Sequence, residues 1–286
     1  MTSCRLATGL LVATTVVFCI AGCSQEPTPG EVQEITCRPW DNQTLPGGDT
    51  ILINNTWNEQ WAQGKAHSQC LLRKNREGVP QYGWRWSWPA YRPYSSYAAP
   101  EVLFGWSPWH GIRSTNPVLP EKIDALQSLK VDFAVSLSSQ GRYNLNTTMW
   151  VIDRMPASSD SDPSLIRGEL MVWFAHEPPG FGGLESDGEV TLDGVTFDVW
   201  HQDNHGDDSG GAANKWTMIV YVSRENSLRR NFDLKLILDD AARKRLVKPG
   251  QVVGGVELIS EIFGGSGELW LERFQVTPVR SQLRIE

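Results

Sequence analysis

At 286 residues the chain has room for one large domain or two small ones, and all-β sandwiches of this size are often undivided. Its formal net charge of −7 argues against a nucleic-acid partner, which selects for a basic face, and suits a neutral polymer. Tryptophan is the outlier, with 13 copies between Trp40 and Trp270, more flat indole surface than one core uses, because indole is seldom wholly buried.

The chain opens on a targeting segment. Arg5 precedes the apolar run Leu10 to Ile20, too short to span a bilayer comfortably. The run ends in Ile20-Ala21-Gly22-Cys23, the pattern of a bacterial lipobox, in which the Cys23 thiol carries the lipid. Residues 1–22 are therefore expected to be a signal peptide of the lipoprotein type, the alternative being an ordinary signal peptide cut near the same place. Several acyl chains on Cys23 would hold the protein to a membrane, at about 0.8 kcal/mol per buried methylene. Ser24, rather than an aspartate, follows Cys23, which in a Gram-negative cell points to the outer membrane or the cell surface. Residues 23–36, polar and holding Pro27 and Pro29, read as a tether. Residues 37–286 then form the folded domain.

Cysteine arithmetic agrees with export. Cys4 and Cys19 leave with the signal and lipid occupies Cys23, so Cys37 and Cys70 remain and should pair in an oxidising compartment.

The elements from here on are mostly strands. Asp49 to Asn54, Lys130 to Ser138, Thr147 to Ile152, Gly168 to Phe174, Val195 to Trp200 and Lys215 to Val222 are short and rich in β-branched or aromatic residues. Pro46-Gly47-Gly48, Gln140-Gly141, Asp193-Gly194 and Ser209-Gly210-Gly211 read as turns between them. Asn231 to Lys244 is the one helical pattern, and its first half could equally be a strand. Strands follow at Gln251 to Ile262 and Glu268 to Thr277. Many strands with a single helix predict an all-β sandwich of two antiparallel sheets.

Chemistry concentrates in two of these strands. Alternation along Gly168 to Phe174 places Glu169, Met171 and Trp173 on one face and Leu170, Val172 and Phe174 on the other. The second set is core. The first mixes a carboxylate with a thioether and an indole, which fits the floor of a groove where a sugar ring lies on Trp173 and Glu169 meets the anomeric carbon. Glycoside hydrolysis needs a second carboxyl to protonate the leaving oxygen. Glu261 stands in an apolar strand just before the expected glycine-rich turn Gly264-Gly265-Ser266-Gly267, where burial would raise its pKa as an acid requires. Glu257 is its rival, on the same face, and spacing alone does not choose between them. His201, His205, Asp207 and Asp208 are close enough in sequence to suggest a metal site, but their glycines and acids read better as a hairpin loop. No metal or cofactor is expected.

Ordered motifs then choose. Glu169-Leu170-Met171-Val172-Trp173 resembles the nucleophile strand of glycoside hydrolase family 12, and Ser260-Glu261-Ile262-Phe263 is similar to that family's acid/base segment. Asn54-Asn55-Thr56-Trp57 with Ser68-Gln69-Cys70, Trp84-Arg85-Trp86-Ser87-Trp88 and Tyr97 through Trp109 resemble further family segments in the same order. The resemblance covers about residues 37–278. It implies a β-jelly roll with a concave substrate cleft, endo-attack on β-1,4-linked glucan, Glu169 as nucleophile and Glu261 as acid/base. Substrate contacts are expected from Trp57, Trp173, Met171, Asn55, Trp86 and Thr148, all within the matching segments. Thr148 stands where the family usually has an aspartate bonded to the nucleophile, and its hydroxyl is expected to donate to Glu169. A xyloglucan-specific hydrolase and a non-catalytic glycan-binding jelly roll are the alternatives. The protein is expected to be a monomer whose partner is β-glucan.

Overall fold

The computed structural model describes residues 30–91, 95–109, 111–114, 118–157, 161–176, 184–206 and 213–281. The expected signal segment, Cys23, the Ser209-Gly210-Gly211 turn and the Asp207-Asp208 pair lie outside these residues. Short strands open the domain: β1 (Val32–Thr36), β2 (Asn42–Thr44) and β3 (Ile51–Ile53). β4 (Ser68–Arg76) and β5 (Val79–Trp88) form a hairpin whose turn residues, Glu77 and Gly78, both have positive φ. β6 (Glu101–Gly105) and β7 (Glu121–Lys122) lead into β8 (Leu126–Ile152). Then come β9 (Ile166–His176), β10 (Glu185–Leu192), β11 (Val195–His205), β12 (Trp216–Ser223) and β13 (Arg229–Asp233). Helix α1 (Leu234–Arg243), β14 (Val252–Val253) and β15 (Gly255–Arg280) complete the chain.

The all-β sandwich stands, with its details altered. The strands run in the order β1-β4-β5-β15-β8-β9-β12-β11-β10. They make two layers because β8 and β15, 27 and 26 residues long, each pass from one layer to the other while paired. Their outer halves pair with β5 and β13, their inner halves with β6 and β9. One departure from the expected antiparallel sheets is that β9 and β12 run parallel, with Met218 beside Glu169.

Glycine makes the crossing possible. Gly141 lies opposite Gly265, and a Cβ on Gly141 would stand 2.2 Å from the Gly264 carbonyl oxygen. Gly264 and Gly265 have φ of 146° and 87°, beside a register shift between Ile262 and Gly264. The two glycine stretches expected to be turns are thus bends inside long strands. Asp193-Gly194, by contrast, is a true hairpin turn, both residues having positive φ.

The core fills the space between layers. Phe133 of outer β8 meets Phe174 of inner β9 at 5.3 Å between ring centroids, and Phe174 meets Phe232 of β13 at 5.9 Å. Helix α1 begins where the Asp233 carboxylate accepts from the Lys235 N–H, so the first part of the expected helix is β13. Asp240 of α1 is buried and accepts from the Tyr221 hydroxyl at 2.9 Å, fastening the helix to β12.

The N-terminal edge is also tied in. β1 pairs with β4, so part of the stretch expected to be a tether is strand. Cys37 and Cys70 form the expected disulfide, closing a loop of sequence separation 33. In the chain-entropy description that cross-link is worth roughly 3–4 kcal/mol. A Cys37→Ala, Cys70→Ala double variant should lose about that much unfolding free energy in urea, with an m-value that rises as the unfolded chain expands; an unchanged unfolding free energy would show that the bridge contributes nothing.

Candidate active site

The inner layer presents one face to the core and the other to a groove. On β15, Val256, Leu258 and Ile262 join the core, so Glu257, Ile259, Glu261 and Phe263 point the other way. On β9, Leu170, Val172 and Phe174 join the core, leaving Glu169, Met171 and Trp173 on the groove side. β8 lies between these strands and brings Asn144, Asn146, Thr148 and Trp150 to the same face, with Asn144 opposite Glu261, Thr148 opposite Glu257, and Trp150 opposite Glu169. The carboxyls that are 92 positions apart in sequence, Glu169 and Glu261, are separated by a single strand.

Glu169 accepts a hydrogen bond from the Trp216 indole at 3.1 Å. The Nε2 of His205 lies 3.9 Å from the same carboxylate oxygen, and its ring packs edge-on against Trp216. The support expected from Thr148 is therefore supplied by β11 and β12. Thr148 instead donates to Asn146 at 2.7 Å, since on β9 it faces Met171 rather than Glu169.

Glu261 accepts from the Asn144 amide and is hydrogen-bonded to Ser96. Burial raises its pKa, the two hydrogen bonds oppose that, and the nearby negative charge of Glu169 raises it further, to about 7. Ser96 in turn accepts from the Trp57 indole at 3.3 Å. Trp57 is half-buried and tilted against Trp61, so this indole edge borders the acid. Asn55 accepts from the Trp57 backbone N–H at 3.1 Å and hydrogen-bonds Glu101.

Glu257 differs from Glu261 in being shut away, at 2% exposure. It accepts from the Trp150 indole at 3.1 Å and bonds Ser107. Burial, less what those bonds return, and the charge of Glu169 push its pKa to about 8. Glu101 on β6 is also buried, and its pKa is raised well above the usual carboxylate value by burial and by Glu257. Two buried acids so close favour the neutral form of at least one.

Two expected substrate contacts are corrected. Trp86 is 2% exposed and sits in the interlayer core with Trp84 and Leu71, because the face of β5 that carries Trp84, Trp86 and Trp88 turns inward. Trp173 lies on the groove side but is 4% exposed, packed with Met171, Val220 and Val222 under Leu184 and Trp200. It is a buried wall, and Met171 shares that wall. Sequence reasoning missed the aromatic cluster that donates to Glu169 and Glu257: Trp109, Trp150 and Trp216 meet edge-on at 5.6, 6.0 and 6.3 Å between centroids. Strand parity could have found Trp150, two residues beyond Thr148 on the same face. His201 binds Asp187 at 2.6 Å and does not converge on His205. Among the described residues the cluster with metal-ligand spacing is Glu34 with Cys37 and Cys70, whose sulfurs are already in the disulfide.

A β-sheet face bearing one carboxylate that accepts from an indole N–H and, one strand away, a second carboxyl poised near neutrality has the equipment of a glycoside-cleaving enzyme. Residues 49–278 match Glycosyl hydrolase family 12, and the chain belongs to that family. It is 25% identical over 228 residues to Endoglucanase S of Pectobacterium parmentieri, covering 79% of this chain and 80% of that protein. Its fold is similar to a family 12 xyloglucanase from Bacillus licheniformis in complex with ligand, at TM-score 0.73 and 20% identity over 85% of this chain and 99% of that one. Endoglucanase cel12A from Rhodothermus marinus has the same fold at TM-score 0.68 and 22% identity, over 86% and 99% of the respective chains.

The raised carboxyls link stability to pH. Each holds its proton in the folded state after losing it in the unfolded chain, so folding binds protons and stability falls as pH rises from about 4.5. The contributions of Glu261 and Glu257 end once they have ionised, near 7 and 8, and the raised Glu101 adds to the fall. Chemical unfolding from pH 5 to 9 should therefore give a free energy that declines as pH rises. In Glu257→Gln, which keeps an acceptor for Trp150, the decline should be shallower by up to about 1.4 kcal/mol per pH unit. An identical slope in the variant would mean that Glu257 ionises normally.

Proposed function

We propose that the chain is an endo-acting retaining hydrolase of β-1,4-glucosidic bonds in β-glucan or cellulose-type polysaccharide, with Glu169 as nucleophile and Glu261 as acid/base. The observation that carries this reading is the asymmetry of two carboxyls on one groove face. Glu169 accepts from the Trp216 indole and has His205 beside it, while burial lifts Glu261 to about 7. Glu169 attacks the anomeric carbon as Glu261 protonates the departing oxygen; water, deprotonated by Glu261, then releases the sugar. Glu257 is the weaker candidate for the acid, because at 2% exposure it is bound beneath Trp150 rather than open to a sugar oxygen.

Reducing ends released from barley β-glucan, xyloglucan and carboxymethyl cellulose test the substrate class, and exclusive release from xyloglucan would move the assignment to a xyloglucanase. kcat/KM should fall above about pH 7 as Glu261 loses its proton. Glu169→Ala should abolish turnover, and azide should restore an α-glycosyl azide. Glu261→Ala should lose about 10²–10⁴-fold on glucan yet keep activity on aryl glycosides with good leaving groups, with azide giving the β-product. Full glucanase activity in Glu261→Ala would hand the acid role to Glu257.

We further propose that the mature protein is a monomeric, exported lipoprotein anchored to the outer membrane or cell surface through Cys23, on the strength of the Ile20-Ala21-Gly22-Cys23 run. Cys23→Ser should release the protein from membranes or block its processing. A wild type recovered soluble with a free Cys23 would exclude the anchor.

A further inference from the structure

Three alternate residues of β8 form a hydrogen-bonded file along the groove floor. The Thr148 hydroxyl donates to Asn146 Oδ1 at 2.7 Å, Asn146 Nδ2 donates to Asn144 Oδ1 at 2.7 Å, and Asn144 Nδ2 donates to Glu261 Oε2. All three are buried at 2% exposure or less, so none can exchange these partners for water. We propose that Thr148 is a positioning residue for Glu261, acting through the Asn146 and Asn144 amides, and not a partner of Glu169. The inference rests on the catalytic reading above.

The direction of the file is forced from one end. The Glu261 backbone N–H can only donate, and it donates to Asn144 Oδ1 at 3.3 Å. That fixes the orientation of the Asn144 amide and turns its NH2 to the Glu261 carboxyl. Asn144 Oδ1 then needs a donor from Asn146, which leaves Asn146 Oδ1 facing Thr148. A hydroxyl fits that last place because it can donate. An ionised aspartate cannot: Asn146 would have to turn its NH2 towards it, setting its own oxygen against that of Asn144. The hydroxyl at position 148 and the two asparagines are thus one device, ending at the acid/base.

The test separates the acid step from the rest of catalysis. Hydrolysis of glucan needs a proton for its leaving group, whereas a dinitrophenyl cellobioside scarcely does. Thr148→Val keeps the shape and removes the donor, so the ratio of aryl-cellobioside to glucan kcat/KM should rise about tenfold. Thr148→Ser should return the ratio to the wild-type value, and Thr148→Asp, though polar, should resemble Thr148→Val. An unchanged ratio in Thr148→Val, an equal loss on both substrates, or improved glucan hydrolysis in Thr148→Asp would overturn the inference while the wild type remains active. A wild type inactive on both substrates would instead remove the catalytic reading, and this inference with it.

Discussion

The continuous pairing of β8 with β15 is the constraint on which the molecule depends. It runs from the Glu257–Thr148 pair to the Arg280–Leu126 pair, through a bend that both strands make together. Such a bend requires two backbones to close to distances that a side chain forbids, and Gly141, Gly264 and Gly265 meet there. Once the bend is made, everything downstream follows by parity. The acids of β15 turn to the groove, and β8 lays its polar file between them and the Glu169 strand. A one-residue slip would exchange Glu257 and Glu261 for Leu258 and Ile262 and bury charge in the core.

The electrostatics grow from that placement. Four carboxyls, Glu101, Glu169, Glu257 and Glu261, occupy one region of the inner layer. Of these, Glu261, Glu257 and Glu101 are raised, mainly by burial. Indole N–H groups do much of the work that arginine or lysine would do elsewhere. Trp216 and Trp150 each donate to one carboxylate without adding a charge. Stabilising an anion with a neutral donor leaves the field at the neighbouring acid negative, which suits a pair whose members must hold opposite protonation states. The tryptophan surplus in the composition is partly explained by this use.

Much of this architecture was legible in the sequence, for physical reasons that vary by element. The Glu169 strand could be read because alternation is stringent where one face is core and the other is not. The disulfide followed from counting. Glycine misled, because the freedom that makes a turn also makes a bend within a strand, and the difference at Gly141 and Gly264 lies in the opposing strand. Trp86 misled because alternation gives two faces without saying which is inside; Trp84, Trp86 and Trp88 share theirs with the core. The partners of Thr148 and Glu169 depended on cross-strand register, which a single segment does not contain. His205 was read as part of a loop and proves to be a neighbour of Glu169, brought there by the register shift between Gln202 and His205.

The N-terminal edge has a mechanical consequence. β1, β4 and β5 belong to the outer layer, and the Cys37–Cys70 bridge joins the chain just after β1 to β4. Tension entering the domain ahead of Gly30 is carried first by the β1 pairing and then by a covalent bond into the β4–β5 hairpin. The load path therefore enters the layer that carries none of the four groove carboxyls. Tugging on the leading segment, by flow or by a bulky polymer under attack, strains the back of the sandwich first, and the disulfide diverts into β4 part of the load that would otherwise run on through β2 and β3 to β6.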